Sequence, residues 1–191
     1  MYIDIFDKTT IKGTVKDIKP IDFVLVSGTE DEIIWDELVA KYHYLGHKRM
    51  LVKRIKYLVI SNKRLVAALS FNFASLKIKS RDQYIGWSVK DRKKHLNKGV
   101  NNNRFLIFSW VKVHNLTSYT LSHTLNRLSD DWFNKYNTRP LLVETFIELS
   151  RYKGLVTRLQ IVFMLEKPKV ILKIEKNTNT MVILKGFIFI H

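Results

Sequence analysis

Between Phe105 and Ile147 two apolar runs bracket one long amphipathic stretch, and that order leaves few folds open. Phe105-Leu106-Ile107-Phe108-Ser109-Trp110-Val111 has the length and the β-branched and aromatic content of a buried strand. Leu121, Leu125, Leu128 and Trp132 then recur at spacings of three or four, which predicts a helix. Asn115, Thr117 or Ser118 can cap its start, and Asn137 to Pro140 stop it. Leu141 to Ile147 is a second strand. Strand, helix, strand is the crossover unit of an α/β sheet.

Upstream, Thr29 or Asp31 can cap a helix that carries Ile33, Ile34, Leu38 and Val39 to Tyr42, with Gly46 ending it. Ile55 to Ile60 and Leu65 to Phe71 flank the polar turn Ser61-Asn62-Lys63, a hairpin pattern. Residues 77–104 are polar and basic and read as a functional loop or short helix. No internal repeat or low-complexity linker is present. The full order, helix, hairpin, strand, long helix, strand, resembles the N-acetyltransferase-like (GNAT-like) α/β fold, a mixed sheet flanked by helices. That fold usually grips a cofactor pyrophosphate with a glycine-rich loop at the strand-to-helix junction. No glycine lies between Phe105 and Tyr136, so no cofactor is expected and acetyl transfer is disfavoured.

The chain of 191 residues carries 33 Lys and Arg against 17 Asp and Glu, a formal net charge of +16. An excess of that size favours a polyanionic partner, DNA or RNA ahead of an acidic membrane face. Cysteine is absent, which rules out disulfides and thiolate metal sites and suits a reducing, cytoplasmic setting. The first ten residues lack the apolar core of a secretory signal, and no run approaches the roughly 20 apolar residues of a membrane span. No metal-ligand spacing occurs.

Several side chains are candidates for chemistry. Glu144 sits mid-strand among Leu, Val and Phe, so it needs a partner or a raised pKa. Arg104, from the preceding strand, is a candidate partner. Arg81 and Asp82 form an adjacent ion pair that could organise a site with Glu144. His43 could act as acid or base, or could simply close the first helix. Trp87 could stack on a base or pin a loop to the core. Arg92, Lys93, Lys94, Asn102, Asn103 and Arg104 combine cations for phosphates with amides for base edges. Asn115 and Ser118 lie at a strand-to-helix junction, where anions bind readily.

Read in order, the phrases YHYLG, RDQYIGW, NNNRFLIFSWV, NLTSYTLS, DW and LLVETFIELSRYKG resemble the Druantia anti-phage system protein DruA family over about residues 33–154. The resemblance implies a DNA-associated component of a bacterial defence system, with other defence proteins as further partners. The alternatives are a transposase-associated DNA-binding module and an acyltransferase or nucleic-acid-processing enzyme. No catalytic mechanism follows from the resemblance, so enzymatic activity stays open.

After Gly154 the family phrase runs like GTCYKAANW, whereas this chain reads LVTRLQIVFMLEKPK. That peptide can be encoded so that a start one base earlier reads TCYKAANCVYVGKTK. A one-base deletion at codon 154 is therefore expected, with residues 155–191 out of frame, the fold incomplete at its C-terminus and loss of activity through truncation as one expected outcome. The expected organisation is an N-terminal extension (1–30), a family-like domain (31–154) and a foreign tail (155–191). The tail holds 6 Lys or Arg and 2 acids; removing it leaves 27 against 15, still +12.

Overall fold

A computed structural model describes residues 6–47, 52–148, 158–164, 169–175 and 181–183. These form two compact units that interleave along the chain. The first is built mainly from Met1–Phe71 and Arg104–Arg127, the second from Asn72–Asn103 and Leu128–Ile188.

In the first unit, β1 (Ile11–Thr14) and β2 (Ile21–Leu25) precede helix α1 (Asp31–Tyr42). Asp31 and Glu32 in its first turn and Lys41 in its last complement the helix dipole. Trp35, Leu38 and Val39 form its buried stripe, and the Trp35 indole N–H donates to the Leu69 carbonyl at 3.1 Å. The helix closes at His43, whose N–H bonds to the Val39 carbonyl, rather than at Gly46; Gly46 (φ 59°) serves the turn that follows. Strands β3 (Arg54–Ser61) and β4 (Arg64–Phe73) are the expected hairpin. Its two turn residues, Asn62 (φ 48°) and Lys63 (φ 63°), adopt the doubly left-handed geometry that matches strand twist. Strand β2 runs antiparallel to β3, with Phe23 opposite Val59.

The second unit opens with two short helices where the sequence suggested a loop or short helix: α2 (Lys79–Ile85) and α3 (Val89–His95), followed by a 3-10 turn at Leu96–Lys98. Strand β5 starts at Gly99 and runs to Ile107, so Asn101, Asn102 and Asn103 are strand residues. The expected strand Phe105–Val111 is not continuous. The chain turns at Phe108–Trp110 and resumes, in the first unit, as β6 (Val111–His114), which pairs in parallel with β1. Helix α4 (Leu116–Tyr136) follows, with Leu128 and Trp132 buried and Leu121 and Leu125 half-buried. Strand β7 (Leu142–Glu148) is parallel to β5, a pairing that demands the intervening crossover. Strands β8 (Arg158–Met164), β9 (Lys169–Glu175) and β10 (Met181–Ile183) extend this sheet antiparallel from β7. The architecture is thus mixed α/β, with a mixed sheet flanked by helices. The tail's apolar sequence runs at Ile161–Leu165 and Met181–Leu184 overlap β8 and β10, while its run at Phe187–Ile190, like Arg151 and Gly154, lies outside the described residues.

Candidate functional site

The second unit gathers Arg81, Asp82, Arg92 and Glu144 into one buried network. Glu144 occupies β7 between β5 and β8, opposite Asn101 and Val162, so no oxygen can reach water from a sheet edge. Its side chain is 0% exposed, as is that of Arg81. Glu144 Oε1 accepts from the Ser75 N–H at 2.8 Å, and Oε2 accepts from Arg81 Nη1 at 3.1 Å. Arg81 also donates to the Ser75 carbonyl at 2.8 Å and, through Nε and Nη2, to Asp82 Oδ1 at 3.0 and 2.9 Å. Asp82 Oδ2 accepts from Arg92 Nη1 at 2.9 Å. Two guanidiniums and two carboxylates balance, and every carboxylate oxygen has a donor, the condition for burying such charges. Burial pushes the Glu144 pKa up, against the pull of the Ser75 N–H and Arg81.

Glu144 therefore pairs with Arg81 and not with Arg104, the partner suggested by strand succession. Arg104 belongs to the first unit, where its Nε donates to the Gly46 carbonyl at 2.9 Å. Helix α2 delivers Arg81 because Gly86 (φ 78°) ends it in the left-handed region and returns its N–H to the Asp82 and Gln83 carbonyls. Trp87 follows immediately. Its half-buried ring lies 5.7 Å from the Arg81 guanidinium carbon, stacks near His95 at 6.3 Å, and packs with Ile85 on Leu142. This packing holds the helical segment against β7.

Helix α3 begins with a reciprocal cap: the Asp91 N–H donates to Ser88 Oγ at 3.1 Å, and the Ser88 N–H donates to Asp91 Oδ2 at 3.1 Å. No residue of α3 is buried. Arg92 points inward to Asp82, while Lys90, Lys93 and Lys94 are exposed, as are Lys77, Lys79 and Lys98 on the flanks. Residues 77–98 hold eight Lys or Arg and two acids, a net of +6. Both acids are occupied, Asp82 by arginines and Asp91 by Ser88. Asn102 is buried, and its carbonyl and side-chain oxygens lie 3.3 and 3.4 Å from the Thr145 hydroxyl. The flanking Asn103 is half-buried.

The remaining candidates lie in the first unit. His43 is buried at the α1 terminus, where Nδ1 accepts from the Leu45 N–H at 3.1 Å and the ring stacks on Tyr44. Asn115 (φ 61°) immediately precedes α4, and Ser118 is half-buried in its first turn. A network missed in the sequence also lies here. Lys56 is 1% exposed, donates to Glu32 Oε1 at 2.8 Å and to Asp36, and sits 4.8 Å from the Trp35 ring. Arg54 and the Gly28 N–H also reach Glu32, at 3.1 and 2.7 Å. Burial would raise the Glu32 pKa, but Lys56, the Gly28 N–H and Arg54 outweigh it and bring it down to about 2. The available signal was a lysine inside the apolar run of β3, with Glu32 and Asp36 one turn apart on α1.

Among the described residues no cluster of His, Asp or Glu is arranged to hold a metal ion, and no helix is long and apolar enough to cross a membrane. No curated protein matches the chain. The family described as Druantia protein DruA matches residues 2–162, most of the sequence and a wider span than the phrases alone suggested. Membership implies a component of the Druantia anti-phage system, and this chain belongs to the DruA family.

Proposed function

We propose that this DruA-family protein contributes nucleic-acid binding to the defence system, holding the phosphate backbone of DNA with α3 and its lysine-rich flanks. The observation that carries this reading is the charge of residues 77–98: every exposed ionic group without an internal role is a lysine, while both acids are engaged within the fold. The buried network is the footing of this surface. Arg92 ties α3 to Asp82, Asp82 to Arg81, and Arg81 to β7 through Glu144. Neither Arg81 nor Glu144 presents side-chain surface to a substrate, so positioning suits them better than catalysis. DNA is the expected polyanion because lysines on a helix and its flanks follow a duplex backbone without reading sequence.

The parallel β5–β7 pair joined through α4 supports a GNAT-like topology without acetyl transfer. At the junction where such folds grip pyrophosphate, Asn115 takes the left-handed conformation and no glycine opens the backbone. A transposase-associated role would use the same surface. We further propose that residues 155–191 derive from a one-base deletion at codon 154; the family match ends at residue 162, shortly beyond that point. Reading the gene tests this: failure of any single-base restoration to give the TCYKAAN phrase refutes it. For the binding itself, duplex affinity is expected to fall steeply as salt rises, with acetyl-coenzyme A giving no thermal stabilisation. Salt-insensitive or absent DNA binding together with acetyl-coenzyme A stabilisation would reverse the assignment.

A further inference from the structure

The first unit carries an aromatic and cationic face that none of the interactions above explains. Phe23 on β2 stacks with His123 on α4, ring centroids 5.7 Å apart and planes 10° apart. Tyr119, one helical turn before His123, lies 3.8 Å from it. His123 nevertheless remains exposed and Tyr119 half-exposed. His123 Nδ1 lies 2.9 Å from the Tyr119 carbonyl, which fixes the ring against the helix. Lys19 is exposed, with its Nζ 6.0 Å from the Tyr119 centroid.

The strand leading into α4 adds an unusual pair. In the parallel β1–β6 ribbon Lys12 stands directly opposite Lys112, and both are exposed. Like charges in register repel across a ribbon, a cost that a bound polyanion removes. The nearby acid, Asp17, is taken by the Thr14 N–H and hydroxyl.

We infer that this face binds single-stranded nucleic acid, with Tyr119, His123 and Phe23 as a platform for an unpaired base and Lys12, Lys112 and Lys19 holding the adjoining phosphates. The inference rests on the nucleic-acid reading and deepens it by naming a second, base-sensing surface. Stacked rings with an exposed lysine beside them are what strand binding without sequence readout requires, because every base offers a π-face. Backbone cations alone would hold a strand with or without its bases.

The test is fluorescence anisotropy with three probes: an oligo-deoxythymidine strand, an abasic strand of equal length, and a duplex. The wild type should bind the thymidine strand about tenfold or more tightly than the abasic one, in line with stacking of one or two bases. Y119L/H123L keeps apolar volume while removing the rings; it should reduce thymidine-strand affinity to the abasic level and leave duplex affinity unchanged. H123L, a change at an exposed position, should give part of the same loss and guards against a folding defect in the double variant. K12E/K112E should weaken both strands. Duplex binding with no preference for bases over abasic sites, or discrimination untouched by Y119L/H123L, would overturn the platform alone. Absence of binding to all three probes would overturn the underlying nucleic-acid reading as well.

Discussion

Replacing Arg81 with leucine tests whether the buried network is the footing of α3. The substitution leaves Glu144, with a side chain 0% exposed, holding only the Ser75 N–H, and leaves Asp82 with Arg92. Removing one member of a buried ion pair costs about 3–5 kcal/mol, because the other charge stays desolvated. With a urea slope of about 1–3 kcal/mol per molar, a cost of about 4 kcal/mol lowers the midpoint by about 2 M. R81L/E144L removes both charges and should cost markedly less than the sum of the two single variants, a coupling that a double-mutant cycle reads directly. The pH dependence has a definite sign. Burial already raises the Glu144 pKa, and losing Arg81 raises it further. A carboxyl whose folded pKa is raised binds more protons folded than unfolded, so stability falls as pH rises above the ordinary value of 4.5. The R81L deficit should therefore be smaller near pH 5 than near pH 8. A deficit below about 1 kcal/mol, flat with pH and additive with E144L, would refute the reasoning.

Three further outcomes follow from the geometry. Glu32, lowered from 4.5 to about 2, contributes stability that is present above about pH 4.5 and lost as pH falls toward 2. That lowering is worth at most about 3.5 kcal/mol, and solvent screening at this partly exposed carboxylate reduces it, so E32Q should narrow its deficit to near zero by pH 2 in acid titrations of stability. Gly99→Ala places a Cβ 2.9 Å from the Ala74 Cβ and 3.3 Å from the Leu96 carbonyl, and should cost about 1–3 kcal/mol in chemical denaturation. Gly86→Ala meets open space but holds φ 78°, so its cost should be only about 1–2 kcal/mol, from strain alone.

How much of this was legible in the sequence depends on the element. Helix α4 and strand β7 declared themselves because period 3.6 and a buried run survive any tertiary context. The hairpin did so because two apolar runs flank the short polar stretch Ser61-Asn62-Lys63. Strand β5 was hidden by Asn101–Asn103, residues that strands disfavour, here placed in a ladder that pairs with β7. Strands β1 and β2 are only 4 and 5 residues long, too short for alternation to stand out. Arg81, Asp82 and Glu144 were each legible as candidates, but the pairing was not. Strand order pointed to Arg104, whereas the cation comes from a helix that Gly86 ends and Trp87 pins. The Glu32–Lys56 network required knowing that α1 lies over β3, which spacing alone cannot supply.

The central claim, that α3 and its flanks hold a nucleic-acid backbone, meets its most direct test in the salt dependence of duplex binding by the wild type and by K93E/K94E. Each phosphate contact contributes a slope of about −0.9 in log affinity against log salt. If Lys93 and Lys94 each hold one phosphate, the variant should lose affinity at low salt and its slope should be shallower by about 2, while urea stability falls by only about 1 kcal/mol because both side chains are exposed in the last turn of α3. A variant with the wild-type slope and affinity would contradict the account.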